Sequence, residues 1–427
     1  MKKVLSGILL IGLLGALTVP LSASGFQINE QGARAMGQAM AFAARASDPS
    51  AIYFNPAGIT QLEGTQFYFG LVAIKQNTTW TDTGGMSIDA RDRWEFPPSM
   101  YMTHQFSEKW YFGLGVFVPF GLSKGWPDDF PGKYTSKEVR FMNFNINPNV
   151  AYKVNDRLSV AVGFDIIHSE ARLDRELYLQ PLSDLYFGGY PLDDGYFSAI
   201  VKGNDFGWNA GLQAKLTDKI NFGASYRSQV VVHLDGNLEL KTPQTGVPLI
   251  DGTLATLFPS QQAKTTITLP DNAFFGFSVK ATGKYDTEID LQWTDWSDYD
   301  ELPFEFSQQT PVLVNTTYPK NWSDTWAIRW GNEYHYNSTT DLRFGLYYDF
   351  NPVPDETLDP ILPDSDRFSF QVGLGWHKDK LFLDVAYMYL YFMGRDVNNN
   401  PIYGIIPSDG KYESSAHLFG ISAGMRF

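Results

Sequence analysis

Apolar and polar positions alternate along most of the chain. In 341–350, Leu342, Phe344, Leu346, Tyr348 and Phe350 share one face, and Asp341, Arg343, Gly345, Tyr347 and Asp349 share the other. In 285–294, Tyr285, Thr287, Ile289, Leu291 and Trp293 oppose Asp286, Glu288, Asp290, Gln292 and Thr294. The final segment sets Phe419, Ile421, Ala423, Met425 and Phe427 against Leu418, Gly420, Ser422, Gly424 and Arg426. A period of two predicts strands, and about ten residues is the length at which a tilted strand crosses a bilayer. A half-buried soluble sheet alternates as well, so the connections have to separate the two cases. Short polar turns recur at 107–109, 155–157, 217–219, 283–284, 337–339 and 378–380. Long segments rich in Pro, Gly and Asp lie between them, at 81–95, 123–137, 176–203, 241–261, 298–320, 352–365 and 396–410. Tight turns at one rim and long loops at the other are the outer-membrane pattern. Six turns and seven loops connect fourteen strands, an even number that puts both chain ends on the periplasmic side. The expected fold is all-β, a fourteen-stranded antiparallel transmembrane β-barrel over 65–427. Closure has a physical cause: an unpaired backbone amide in hydrocarbon costs several kcal/mol, so a spanning sheet cannot keep an edge.

The first residues follow another pattern. Lys2 and Lys3 precede an apolar run that ends at Pro20, and Ser22, Ala23 and Ser24 supply small residues for cleavage. Residues 1–24 therefore read as a secretory signal peptide, with Gly25 as the mature start. Residues 25–64 are rich in Ala, Gly and Met and do not alternate. They would either hang in the periplasm or fill the barrel as a hatch. Ala35, Ala39, Phe42 and Ala43 fall at helical spacing, and low charge with Phe26, Ile28, Ile52, Tyr53 and Phe54 favours the interior. A barrel of this size has a lumen wide enough for water, so a plug turns a sieve into a selective path.

Composition narrows the classes further. The chain has no Cys, which removes disulfide scaffolds and thiolate metal sites. A net charge of −14 argues against nucleic acid. Mean hydropathy of −0.22 does not suit a bundle of membrane helices. Aromatics at 15% suit interfacial girdles.

Several residues stand out. GLGVFVPFG (113–121) lies in the third strand. Pro119 cannot donate to a ladder and glycine weakens one, so a kink and a gap in the wall are expected there, unless the strand simply ends at Pro119 with Phe120 and Gly121 opening the loop. Asn55, Pro56 and Ala57 predict a tight turn in the hatch, structural or beside a ligand. Ile250, Leu254, Leu257 and Phe258 form a helical stripe in one long loop, and Leu182, Leu185 and Tyr186 show similar spacing in another. They would pack as a groove that captures apolar cargo, or pack only to close the outer mouth.

The opening GFQINE (25–30) followed by Asn55-Pro56-Ala57 resembles the FadL family of outer-membrane transporters for long-chain fatty acids and hydrophobic compounds. GWNAGL (207–212), YRS (226–228), ITLPDN (267–272), WTDWS (293–297), NPVPDE (351–356) and PDSDRFSF (363–370) extend the resemblance over the mature chain. It implies a hatch-plugged fourteen-stranded barrel, monomeric, in the outer membrane of a Gram-negative bacterium. It also implies a route: capture among the loops, a lumenal pocket reached by Gly25 and Phe26, and lateral exit at Pro119, Phe120 and Gly121. Arg175, closing ARLDR (171–175), matches a family arginine that contacts a fatty-acid carboxylate; its ordinary alternative is an ion pair with Asp174 or Glu176. The family's partner lysine has only a displaced counterpart, Lys320, which keeps aromatic and aliphatic hydrocarbons open as cargo.

Enzymatic chemistry is not indicated. Ser415 lies near His417, but there is no G-x-S-x-G elbow, and no H-E-x-x-H, P-loop or dinucleotide motif. An outer-membrane lipid hydrolase is the rival class and an open porin a third. Asp193 and Asp194 could take calcium, but a solvated acidic rim is the simpler reading. No cofactor and no metal are expected. The expected function is passive outer-membrane transport of hydrophobic small molecules, foremost long-chain fatty acids, with cargo and membrane lipid as partners and no nucleic acid.

Overall fold

The computed structural model describes residues 25–398 and 409–427. Residues 1–24, which read as a signal peptide, and part of the last long loop lie outside the described residues. Fourteen barrel strands run in order: β1 Thr65–Thr81; β2, built of Ser87–Asp89, Trp94–Glu95 and Pro98–Gln105; β3 Trp110–Gly125; β4 Glu138–Asn155; β5 Leu158–Leu177; β6 Gly195–Lys215. Next come β7, Ile220–Arg227 with Val230–Lys241; β8, Gln261–Leu269 with Asn272–Thr282; β9, Tyr285–Thr294 with Glu301–Phe306; and β10, Thr316–Pro319 with Thr325–Asn337. The last are β11 Thr340–Asp349, β12 Arg367–Lys378, β13 Leu381–Phe392 with Arg395–Val397, and β14 Gly410–Arg426. Each strand pairs antiparallel with the next, and β14 returns to β1 over Gln66↔Arg426 to Thr81↔Lys411. The sheet is therefore a closed cylinder.

The strands differ from the sequence reading mainly in length. β6 begins at Gly195, inside what reads as loop 176–203, and Tyr196 to Lys202 pair with β5 and with β7. Flanking Gly195 and Gly203 disguise that stretch as loop, yet its alternation is intact. Counted from its short turn, β5 is long enough to rise well past a bilayer core about 25 Å tall.

The alternation sorts the two faces as the period requires. Ile289, Leu291, Phe344, Phe370, Phe419 and Ile421 are exposed on the outer face, while Glu288, Asp290, Arg329, Glu333, Arg343 and Asp384 are buried inside. Residues 25–64 occupy that interior. Two one-turn helices, α1 Ala33–Met36 and α2 Ala51–Phe54, are joined by tight turns. Inward carboxylates satisfy the backbone that such short helices leave open: Asp290 accepts from the amides of Phe42 and Ala43, both at 2.9 Å, and Glu288 from Ala44 at 2.6 Å. Arg45 pairs with Glu288 at 2.9 Å, and Arg34 with Glu333 at 3.0 Å. Glu333 also holds Arg343, which reaches Asp384. Close approach needs glycine on the wall, because a Cβ at Gly223 or Gly331 would collide with the backbone of Ala43 or Gln38.

Candidate functional site

The site starts at the first described residues. Gly25 adopts φ +69, and a Cβ there would strike Trp296. Its amide donates to Asp364 Oδ2 at 2.8 Å, and its carbonyl accepts from Arg367 at 2.6 Å. Phe26 is thereby fixed in an aromatic cage, with ring centroids 4.9 Å from Trp296, 5.7 Å from Phe141 and Tyr299, and 5.9 Å from Phe120 and Trp322. Such edge-on pairs add about 0.5–1.5 kcal/mol each to area burial.

The same residues pair with β3. The β2–β3 ladder stops at Met100↔Val116. On its other side β3 keeps pairing with β4, but the register shifts between Phe117 and Phe120: Val118 and Pro119 face the single residue Phe144. This is a bulge at the proline, as a missing amide allows. Its free carbonyls are taken by the N-terminal segment. Ile28 N donates to Pro119 O at 2.8 Å, Gln31 Nε2 to Val118 O at 2.8 Å, and Gly121 N returns a bond to Phe26 O at 2.9 Å. Opposite, β2 carries Pro97 and Pro98 and does not reach across. The wall closes again above, where Arg91 N donates to Gly125 O at 2.7 Å. Between these limits the ladder has a window, rimmed by Trp94 and Phe96, whose stacked rings are both exposed.

Three cavities line up behind it. The innermost, about 400 Å³, reaches from the window past Phe26 to β11 and β14. A second of about 100 Å³ shares Phe26, Leu122, Arg140, Phe141 and Leu362 with it, and is walled by Val139, Leu173, Val201, Ile267, Leu302 and Phe304. A third of about 40 Å³ continues from the second through Leu173, Leu302, Phe304, Lys320 and Asp359 toward the loops. Phe26 thus stands between the apolar chamber and the windowed one.

Arg175 and Lys320 line the third cavity together. Neither sequence neighbour pairs with Arg175: Asp174 binds Arg172 at 2.7 Å, and Glu176 binds Lys133 at 2.6 Å and Lys137 at 2.8 Å. Arg175 stacks on Phe197, 4.7 Å from the ring centroid, and donates to Tyr134 O at 3.3 Å. Lys320 pairs with Asp359 at 2.9 Å. The loop over this cavity is clamped. Burial lowers the Lys133 amine, but Glu176 and Asp194 outweigh it and hold the group above its ordinary value. Burial, helped by Asp194, pushes the Tyr134 phenol up to about 12. Asp194 is therefore engaged by Lys133 and Tyr134.

The loop stripes lie elsewhere. Ile250, Leu254 and Leu257 are buried on helix Pro248–Leu257 and pack with Phe258, Phe197, Leu238 and Leu313 above the strands. Leu182, on helix Gln180–Tyr186, is packed against this cluster, while Leu185 and Tyr186 turn to solvent at 76% and 50% exposed. None of these seven lines the three cavities. Asn55, Pro56 and Ala57 are buried in a turn, where Asn55 donates to Ala43 O at 2.8 Å and to Leu212 O at 2.9 Å, tying the segment to β6. Ser415 and His417 alternate outward with Phe419, and the His417 ring bonds to Tyr387. Sequence reasoning passes over Pro97, Pro98, Trp322 and Lys124. The double proline is the one signal among them that a strand pattern offers.

Residues 15–427 match the model of a family described as outer membrane protein transport protein (OMPP1/FadL/TodX). The chain belongs to this family. The long-chain fatty acid transport protein of Escherichia coli K12 is 25% identical over 435 residues, covering 95% of this chain and 94% of that protein. A FadL homologue from Pseudomonas aeruginosa matches with a TM-score of 0.83 at 20% identity, covering 95% of this chain and all of that one. The Pseudomonas putida toluene transporter TodX matches at 0.73 and 17%, covering 94% and 99%. As an OMPP1/FadL/TodX protein the chain resides in the outer membrane, and its closed fourteen-stranded barrel is the fold of these structures.

Proposed function

We propose that this family member carries hydrophobic small molecules, foremost long-chain fatty acids, passively across the outer membrane, as a monomer and without enzymatic chemistry. Residues 25–64 act as the hatch. Cargo enters under the loop cluster, a carboxylate head meets Arg175 beside Lys320, the tail fills the apolar chamber, and exit is lateral through the window at Pro119, Phe120 and Gly121. The observation that carries this reading is the break in the β2–β3 ladder, bordered by a cavity that shares Phe26, Leu122, Arg140, Phe141 and Leu362 with the apolar chamber. Monoaromatic hydrocarbons are a second cargo for the same route, favoured by the almost wholly apolar walls of the chamber.

Deletion of Pro119, the extra residue of the bulge, tests the exit. It removes the bulge and lets β3 run on beside β2. Fatty-acid uptake by cells expressing the variant should fall at least tenfold, in the range expected when a path is closed rather than a contact weakened, while the barrel keeps its heat-modifiable mobility. Unchanged uptake would remove the lateral route.

A further inference from the structure

The cavity behind the window contains a cation that the route above does not use. Lys124, on the upper end of β3, is only 4% exposed. Its ammonium donates to Thr78 Oγ1 at 2.6 Å, and that hydroxyl is 2.9 Å from Ser414 Oγ. Among the described residues no carboxylate lies within 4 Å of it. The other cations lining this cavity are all matched: Arg91 with Asp128 at 3.1 Å, Arg93 with Glu138 at 2.9 Å, Arg140 with Glu95 at 3.6 Å and Arg367 with Asp364 at 2.8 Å. The lining acids without such a partner, Glu30 and Asp349, belong to the N-terminal segment and β11, not to the window strands. A buried amine held by a single hydroxyl carries its proton at a cost, and a charged acceptor entering the cavity relieves that cost.

We infer that Lys124, with Thr78 and Ser414, is a second carboxylate-binding station at the exit, receiving the head of an amphiphilic monocarboxylate after it leaves Arg175. The position sets the orientation. β3 rises from its periplasmic turn at 107–109, so Lys124 sits at the upper limit of the window, just below the Arg91–Gly125 closure. A head held there lies at the extracellular end of the wall, while the tail points down past Gly121 and out between Phe96 and β3. The molecule then leaves with its head toward the outer surface and its chain in the membrane, as a lipid of that leaflet stands. The hydroxyl pair on β1 and β14 donates to a carboxylate as readily as it accepts from the ammonium, so the head can displace the Lys124–Thr78 bond without leaving a group unsatisfied.

This inference rests on the transport reading, and the test separates the two. Uptake of oleate and of oleyl alcohol, alike in chain and different in charge, is compared in cells expressing the full chain as their only such protein. Lys124→Met should lower oleate uptake about tenfold, the usual weight of a charge-assisted contact, and leave oleyl alcohol uptake as in the wild type. Lys124→Arg should restore oleate. Oleate binding to the purified Lys124→Met barrel should persist, since Arg175 is untouched. If oleate uptake is unaffected, or both cargoes fall together in an assembled barrel, the Lys124 station is overturned and transport stands. If the wild type takes up the alcohol but no oleate, the station is overturned and the hydrocarbon reading remains. If it takes up neither, both fall. Lys124→Gln replaces the Met variant should that one not assemble, with the same outcomes read.

Discussion

At the scale of the residue, what distinguishes Arg175 is the loss of its obvious partners. A charged side chain flanked by Asp174 and Glu176 would ordinarily form a weak rim ion pair. Here Arg172, Lys133 and Lys137 take both acids, and Arg175 is left against Phe197 with its planar fork toward a cavity. Arg175→Ala is expected to weaken binding of a fatty acid by about tenfold or more, because a bidentate charge-assisted contact is lost. Binding of toluene should not change. Equal loss of both ligands in calorimetry would show that the side chain only supports the loop. Phe26 lies where two chambers meet, together with Leu122, Arg140, Phe141 and Leu362.

At the scale of the element, β3 and the N-terminal segment are one device. The bulge at Pro119 leaves carbonyls that β2, carrying Pro97 and Pro98, cannot satisfy, and residues 26–31 satisfy them instead. The lower part of the segment is held separately, by the carboxylates of Glu288 and Asp290 on β9. Asp290→Ala removes the acceptor of two buried amides, a loss of about 3 kcal/mol or more. The expected result is a loosened plug, read as a several-fold rise in ion conductance of the barrel in planar bilayers, with the strands still assembled. A silent variant would mean that Arg34 and Arg45 suffice to hold the segment.

At the scale of the whole molecule, a closed sheet carries a local break in one ladder. The strands close into one cylinder through the β14–β1 ladder, so a local break between β2 and β3 exposes no edge running the length of the barrel. The proposed path is a line of cavities joined by shared walls, which predicts diffusion down a gradient. In vesicles bearing the purified protein, flux of a fluorescent fatty acid should follow its gradient in either direction. Dissipating a proton gradient should leave the initial rate unchanged. A rate that collapses with the gradient would call for a different mechanism.

The strands, the short turns, the even strand number and the odd character of residues 25–64 are all local in the sequence. Alternation tells which face a side chain takes, and turn chemistry acts over three or four residues, so both are legible without a structure. Pro119 likewise announces a disturbed strand by itself. What meets what inside the barrel is not legible, because the period fixes a face but not a depth or a neighbour. Gly25 reaches Asp364, and the cage around Phe26 draws on β3, β4 and the breaks in β9 and β10. Lys124 reads as a lysine of the long loop 123–137 until β1 and β14 close over it, and Leu185 and Tyr186 read as groove residues until their helix turns them outward. Closing the cylinder brings together positions hundreds of residues apart, and only that closure decides which charges are matched and where the ladder breaks.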